Sequence, residues 1–545
     1  MSDSLLTLRV HPADDLIVAL RDLRAGQTID GLTLCEDIAA KHKFACRDFA
    51  EGERVKMYGV IVGRTTRPIA AGALVHTHNL RHETSEFTGK QGAYAWTPPD
   101  VSRWSGRTFQ GFRRSDSVSG TANYWIVIPL VFCENRNLGF MREAITRALG
   151  YARTSPYERF TQALVERQRR GESLEDVTLP EEFFQTPRPL FPNVDGVKFL
   201  EHGLGCGGTR QDADALVRLL AGYIAHPNVA GATVLSLGCQ HAQVSLLEQA
   251  LSDLHPNLNR PLHIFEQQKC ASERDMMSAA IKATLKGVAT ADEQGREPCP
   301  LSDLIVGVEC GGSDGFSGIS ANPAIGHTAD LLAALGGAPV LSEFPELCGV
   351  EQSLCDRCET PQLADKFVRL MRAYEGAAKA CGSGFDANPS PGNIRDGLIT
   401  DAIKSAGAAK KGGTSPVVDV LDYAEPIRRH GGLTLYCTPG NDVESTTAIA
   451  GGGCNLILFS TGLGTPTGNP VCPTLKIATN STLMSRMSDI LDFDTGPVIT
   501  GQKSVPEMGE ELLELCIATA SGEHVPKAVA LGQDDFLPWK RGVSL

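Results

Sequence analysis

Apolar and polar positions alternate over much of the first 85 residues. Residues 6–10 are strand-like, 16–20 form a short apolar run, and residues 54–63 alternate charged with apolar side chains before reaching Gly63. A period of two with short runs between turns predicts half-buried strands, so residues 1–85 read as a small β module. A short polar helix is expected ahead of His42 and Lys43, and Val75-His76-Thr77-His78-Asn79 closes the unit. If 75–79 is a strand, His76 and His78 share one face and become candidates for touching a ligand.

The pattern fails over residues 86–110, where Ser, Thr, Gly and the pair Pro98-Pro99 dominate, and this stretch reads as a linker. Beyond it the period lengthens. Strand 124–132 precedes a helix at 142–151, and the charged, proline-containing residues 156–192 read as a surface excursion. Strand 194–200, helix 212–225, strand 232–237, strand 261–265 and helix 273–285 then repeat a strand–turn–helix theme. Strand 304–308 and helix 327–335 follow, with further strands at 339–341, 416–420, 433–436 and 455–459. Such alternation predicts a doubly wound, parallel α/β architecture with right-handed crossovers. The expected plan is a module at 1–85, a linker at 86–110, a middle α/β domain at 111–295 and a C-terminal Rossmann-like, parallel-sheet domain at 296–545.

Composition narrows the function classes. The chain has 545 residues, 42% hydrophobic and 21% charged, with a net charge of −13 and no basic block beyond pairs such as Arg113-Arg114 and Lys410-Lys411. Nucleic acid is therefore not an expected partner. No apolar run reaches the length of a membrane span and no basic-then-apolar leader opens the chain, so a cytoplasmic protein is expected. The 16 cysteines are scattered, as reduced thiols or metal ligands are. Cys355 and Cys358 form a Cys-x-x-Cys with no partner pair at zinc-finger spacing.

The densest chemistry lies in residues 305–323, IVGVECGGSDGFSGISANP, where Cys310, Ser313 and Asp314 follow an apolar strand among glycines. Cys206 and Cys239 occupy the same setting after other predicted strands. The carboxyl ends of parallel strands share an edge, so these three thiols, with His202 close to the first, are candidate ligands for Fe²⁺, a Zn²⁺-like ion or an iron–sulfur cluster. Buried cysteines beside glycine turns are the competing reading. The loops 388–393, 438–442 and 460–469 are rich in amide, hydroxyl and carboxylate groups and end at the same predicted edge. Ser313, Asn322, Asn393, Asn441, Asp442, Thr461 and Thr465 are thus candidates for holding a polyhydroxylated acid. No P-loop lysine or dinucleotide fingerprint is present.

Read together, ECGGSDGFSGISANPAIG, NPSPGN, TPGND, STGLGTP, HGLGCGG and SLGC resemble the altronate dehydratase and galactarate dehydratase family of hydro-lyases, and HKFA with VHTHN resembles that family's SAF (β-clip) domain. The resemblance runs through nearly the whole chain. It implies a SAF domain, a middle domain associated with homodimerisation and a metal-bearing C-terminal domain. It also implies removal of water from a sugar acid to give a 2-keto-3-deoxy acid, with Fe²⁺ or another divalent ion such as Mn²⁺. A sulfo-lyase acting on a sulfonated 2-hydroxy acid and a non-catalytic sugar-acid-binding member are the alternatives. On this resemblance His202 and Asp314 are candidates for proton transfer, with His76 or His78 if the SAF domain closes over the site. Glu309 is a weaker candidate, since galactarate-type members carry glutamine there. Cys206, Cys239 and Cys310 match cysteines of both branches, whereas Cys454 matches the altronate branch alone. Ala122, Ile394 and Leu463 stand where arginine, lysine and arginine are usual, and Thr467 stands for tyrosine. The loss of cations implies a substrate with fewer charges or another shape, or weakened activity.

Overall fold

The computed structural model describes residues 5–152, 156–179 and 189–545. At the N-terminus an antiparallel four-stranded sheet orders Thr7–Leu8, Leu16–Ala19, Lys43–Ala45 and Leu74–Val75, with a second sheet of Arg54–Met57, Val60–Thr65 and Leu80–Arg81. Arg54–Met57 shows why its alternation works, for Val55 and Met57 are buried while Arg54 and Lys56 face solvent. Two expectations for this module fail. Ahead of His42 the described residues form turns rather than a helix, because Ile38 exchanges backbone bonds with Leu23 at 2.8 and 3.0 Å. Strand Leu74–Val75 stops at Val75, and Asn79 accepts the His76 amide proton at 2.8 Å to make a turn of 76–79 ahead of Leu80–Arg81.

A parallel four-stranded sheet follows, ordered Gly196–Phe199, Tyr124–Pro129, Val229–Ser236 and Leu262–Glu266. Its helices are Asn135–Ala148, Arg210–Ile224, Val244–Leu254 and Glu273–Ala291. The surface excursion opens with helix Pro156–Arg169, and its residues 180–188 lie outside the described residues. Thr108–Arg113, which begins at the end of the linker stretch, pairs antiparallel with Glu297–Pro300.

The C-terminal part is built on seven parallel strands, ordered Val417–Leu421, Leu433–Tyr436, Ala338–Leu341, Ile305–Cys310, Leu456–Thr461, Thr474–Ala478 and Phe493–Asp494. Ile305–Cys310 is buried at all six positions, as a central parallel strand covered on both faces must be. Side chains alternate between two cores. Val306 and Val308 join Ile325, Leu331 and Leu332 of helix Ala321–Ala334 on one face, while Ile305, Ile457 and Phe459 join Ala448 and Ile449 of helix Asp442–Gly451 on the other. The second helix also joins the two parallel sheets. A Cβ on Gly222 would lie 2.0 Å from the Gly451 carbonyl, so helices Arg210–Ile224 and Asp442–Gly451 meet backbone to backbone. Strands Thr474–Ala478 and Phe493–Asp494 have no counterpart in the sequence reading. Among the described residues no helix is long and apolar enough to cross a membrane.

Candidate functional site

Ile305–Cys310 and Leu456–Thr461 are neighbours, with Cys310 opposite Ser460. The chain leaves the first strand toward Ala338–Leu341 and the second toward Thr474–Ala478, in opposite directions across the sheet. A crevice outside the carboxyl ends of strands that diverge in this way is where open α/β sheets bind ligands.

Cys310 ends the first strand, buried, with its thiol 3.7 Å from Glu343 Oε2 and 3.7 Å from Glu346 Oε2. Both glutamates come from the turn after Ala338–Leu341. Glu343 has φ +60°, a left-handed conformation that costs a glutamate about 1–3 kcal/mol, and its amide is tied to Thr438 Oγ1 at 2.8 Å. Two ammonium groups answer these carboxylates. Lys411 Nζ lies 2.6 Å from Glu343 Oε2 and 3.0 Å from Cys310 Sγ, and Lys404 Nζ lies 2.5 Å from Glu346 Oε1. Asn388 donates to the same Glu346 oxygen at 2.9 Å and accepts from Lys404 at 3.0 Å.

Burial and charge divide the acids into two kinds. Burial raises the Glu309 carboxyl well above the carboxylate range, and the Glu343 charge adds to it, so Glu309 is held protonated. Ser342 and Ser445 donate to its Oε2 at 3.0 and 2.6 Å. Burial works against charge on Glu343 too, but Lys411, a hydrogen bond from the protonated Glu309 and the Lys404 charge together outweigh it and keep that group ionised. Burial also raises the Cys310 thiol, with the Glu343 charge adding to it. At the rim, Asp442 is half-buried and its carboxyl is pushed up to about 7, first by burial and then by Glu343 and Glu346. A Cβ on Gly311 would lie 2.0 Å from Asp442 Oδ2, so glycine alone leaves room for that carboxylate. A group titrating near neutrality at a crevice is equipped to take and return a proton.

The candidates from the sequence are placed as follows. Asp442, Thr461, Thr465, Ser313 and Asp314 gather at this edge: a Cβ on Gly312 would lie 2.8 Å from Thr465 Oγ1, and one on Gly462 would lie 2.3 Å from Asp314 Cγ. Several of them are occupied in building it. Thr461 Oγ1 accepts from the Gly464 and Thr465 amides at 2.9 and 3.1 Å, Asn393 donates to the Ser313 carbonyl at 2.7 Å, and Asn441 caps helix Asp442–Gly451. Asn322 accepts from Ser460 Oγ at 2.6 Å and donates to the Gly407 carbonyl at 3.0 Å. Asp314 pairs with Lys41 Nζ at 3.0 Å and accepts from Thr479, Ser317 and the Phe316 amide, which fastens the N-terminal module to this edge.

His202 stands elsewhere. Buried, its Nε2 lies 2.7 Å from the Pro129 carbonyl and its Nδ1 accepts from the Leu204 amide at 3.2 Å, while burial lowers its pKa to about 4. With both nitrogens engaged and the ring neutral, it has no proton to exchange near neutral pH. The three-thiol centre does not form in this structure: Cys206 and Cys239 are exposed on loops of the four-stranded sheet, and Cys310 belongs to the other sheet. Among the described residues, Cys310 groups instead with Glu343 and Glu346, ligand atoms within 4.8 Å of one another. His76 and His78 stack at 6.0 Å, and His42 stacks on His76 at 5.6 Å. His42 also lies 3.1 Å from the Arg395 carbonyl, so the trio sits where the module meets the loop that carries Asn393.

Glu343, Glu346, Lys404, Lys411 and Asn388 went unread as site residues. The signal available was faint: two glutamates three apart directly after a strand, in Ser342-Glu343-Phe344-Pro345-Glu346, and a lysine pair that looked like an ordinary solvated one. The group suits a divalent ion. A thiol and two carboxylates converge within ligand distance of one another, the mixed sulfur and oxygen set that such an ion takes.

Three family models match consecutive parts of the chain. Residues 6–83 match "Altronate/galactarate dehydratase SAF domain", residues 111–292 "D-galactarate dehydratase/Altronate hydrolase, second domain", and residues 301–544 "D-galactarate/Altronate dehydratase, C-terminal". The chain is 34% identical to an altronate dehydratase of Escherichia coli (strain K12), over 99% of each chain. It is 33% identical to an altronate dehydratase of Bacillus subtilis (strain 168), over 95% of each. A galactarate dehydratase (L-threo-forming) of E. coli (strain K12) is 28% identical over 95% of this chain and 93% of its own.

Proposed function

The chain belongs to the altronate/galactarate dehydratase family, and on that premise we propose that it is a hydro-lyase that removes water from a sugar acid to leave a 2-keto-3-deoxy acid. The observation that carries the reading is the placement of Asp442, a half-buried carboxyl set against Gly311 at the rim, next to the Cys310–Glu343–Glu346 group. Its ionised form takes the proton from the carbon next to the substrate carboxylate. Its protonated form then returns that proton to the departing 3-hydroxyl, which leaves as water, and the enol becomes the ketone.

Cys310, Glu343 and Glu346 would hold a divalent ion, for which Fe²⁺ is our choice on the mixed sulfur and oxygen donors. Such an ion, when bound, acts as a Lewis acid toward the charge that develops on the substrate. Glu309, kept neutral, adds no charge to this group, and Lys404 and Lys411 offset Glu346 and Glu343. The hydroxyls of Ser313 and Thr465 are the candidate contacts for substrate hydroxyls at the rim. His202 and Asp314 have no part in proton transfer here, since His202 lies at the other sheet and Asp314 is spent on Lys41.

The substrate class follows from charge. Ile394 follows Asn393 at the crevice, and Leu463 borders Gly312 there, so two positions where cations are usual in the family are apolar. We therefore propose an aldonic acid, with one carboxylate, rather than an aldaric acid with two. A panel of aldonic and aldaric acids, assayed for keto product with Fe²⁺ and reductant and for sulfite release from a sulfonated 2-hydroxy acid, tests the reading.

A further inference from the structure

A second group of side chains lies apart from Cys310, Glu343 and Glu346. His82 follows strand Leu80–Arg81 of the N-terminal module, Cys348 follows the turn Phe344–Leu347, and Asp401 opens helix Asp401–Ala408. One ligand atom of each lies within 4.8 Å of the others. Asp401 is 1% exposed. Its Oδ1 accepts from Ser405 Oγ at 3.3 Å and the Cys348 thiol is its other polar neighbour, while its Oδ2 and His82 Nδ1 are buried with no nitrogen or oxygen partner. A buried polar atom left unpaired is destabilising, because its lost hydration is not made good. These two atoms and the Cys348 thiol are drawn together within ligand distance, and the imidazole nitrogen is left without a partner of its own.

We infer that His82, Cys348 and Asp401 form a second metal site, taking a divalent ion of the Zn²⁺ or Fe²⁺ class that holds the N-terminal module against the C-terminal sheet. The donors decide the class. Imidazole, thiolate and carboxylate together suit borderline ions, whereas Mg²⁺ and Ca²⁺ prefer all-oxygen sets. The balance closes as well: the thiol and the carboxyl each release a proton to the solvent on binding, the imidazole binds through its free lone pair, and the two negative charges offset the ion's two positive ones. The site does not depend on the dehydratase reading. It does bear on the first group, because Cys348 is two residues beyond Glu346 and Asp401 is three residues before Lys404, the pair that meets at 2.5 Å. An ion here fixes the turn and the helix that carry that pair.

Co²⁺ titration of the full chain tests the site, since thiolate-bound Co²⁺ shows a sulfur-to-metal absorption band that Co²⁺ on oxygen and nitrogen lacks. In Cys310→Ser, where the first group has lost its thiol, the band is expected to persist at one Co²⁺ per chain. It is expected to vanish on adding Cys348→Ser, and His82→Ala is expected to weaken Co²⁺ binding at least tenfold. Absence of the band in Cys310→Ser, or its survival at full intensity in the doubly changed chain, overturns the assignment. If Cys310→Ser does not fold, the unchanged chain is compared with Cys348→Ser, and a flat difference spectrum overturns it equally.

Discussion

The ammonium of Lys411 lies 2.6 Å from the carboxylate of Glu343, with neither side chain more than 1% exposed. Removing one partner of such a pair strands the other charge in the interior, and costs about 3–5 kcal/mol. Lys411→Met is therefore expected to lower stability by about that amount in denaturant unfolding at neutral pH. Added divalent ion is expected to recover part of it, since an ion on Cys310, Glu343 and Glu346 replaces the lost positive charge. A variant as stable as the parent would show that Glu343 is not carried as an anion.

Glu309 gives a prediction whose sign depends on pH. Its folded-state pKa stands above the ordinary value of 4.5, so the neutral carboxyl's contribution to stability is complete below that value and is lost progressively as pH rises. Glu309→Gln keeps the shape and abolishes the titration. Relative to the parent, its melting temperature is expected to climb between about pH 5 and about pH 8. A difference that does not change over this range would mean that Glu309 is ionised in the folded chain.

Gly311 is constrained by what lies beside it. A methyl group there would meet Asp442 Oδ2 at 2.0 Å, so Gly311→Ala is expected to displace that carboxylate and cut kcat by about a hundredfold or more, the scale of a lost general base. Stability should fall by less than about 3 kcal/mol. Unchanged kcat in a folded Gly311→Ala protein would remove Asp442 from the reaction.

The tie between Lys41 and Asp314 is one of several polar fastenings of the N-terminal module, beside Lys41 to Asp396 and Lys43 to the Gly397 carbonyl, with Asp314 fully buried and Lys41 one-fifth exposed. Lys41→Met is expected to destabilise the chain by about 3 kcal/mol and to speed proteolytic cleavage in residues 82–101, which contain no helix or strand. Cleavage at the parental rate would mean that the remaining contacts, Lys43 to the Gly397 carbonyl and Thr400 to the Val62 carbonyl among them, hold the module in place without this pair.

Much of the architecture was legible in the sequence because buried parallel strands are short apolar runs ending in small residues. Ile305–Cys310 is of that kind. Thr474–Ala478 is not: Lys476 interrupts it, and that lysine is buried because its ammonium reaches the Thr465 carbonyl at 2.6 Å, a partner that no local pattern reveals. The crevice was legible in part for the same reason. Glycine-rich turns named Cys310, Asp314, Thr461 and Asp442, whereas Glu343 and Lys411, 68 positions apart, become a site only when Ala338–Leu341 pairs beside Ile305–Cys310. The expected thiol trio failed because the strand ends were taken to share one edge, and the chain forms two parallel sheets.

The central claim is that Asp442 moves the proton in a dehydration, and the pH dependence of kcat/KM with the aldonic acid that turns over tests it most directly. The account predicts keto product from the unchanged chain with Fe²⁺, activity rising with pH as Asp442 ionises, below about 7 because a bound ion offsets the Glu343 and Glu346 charges that raise it, and at least about a hundredfold loss together with that ascending limb in Asp442→Asn. Product formed by Asp442→Asn at the parental rate with the same pH profile, or no product from any acid of the panel with ion bound, would contradict it.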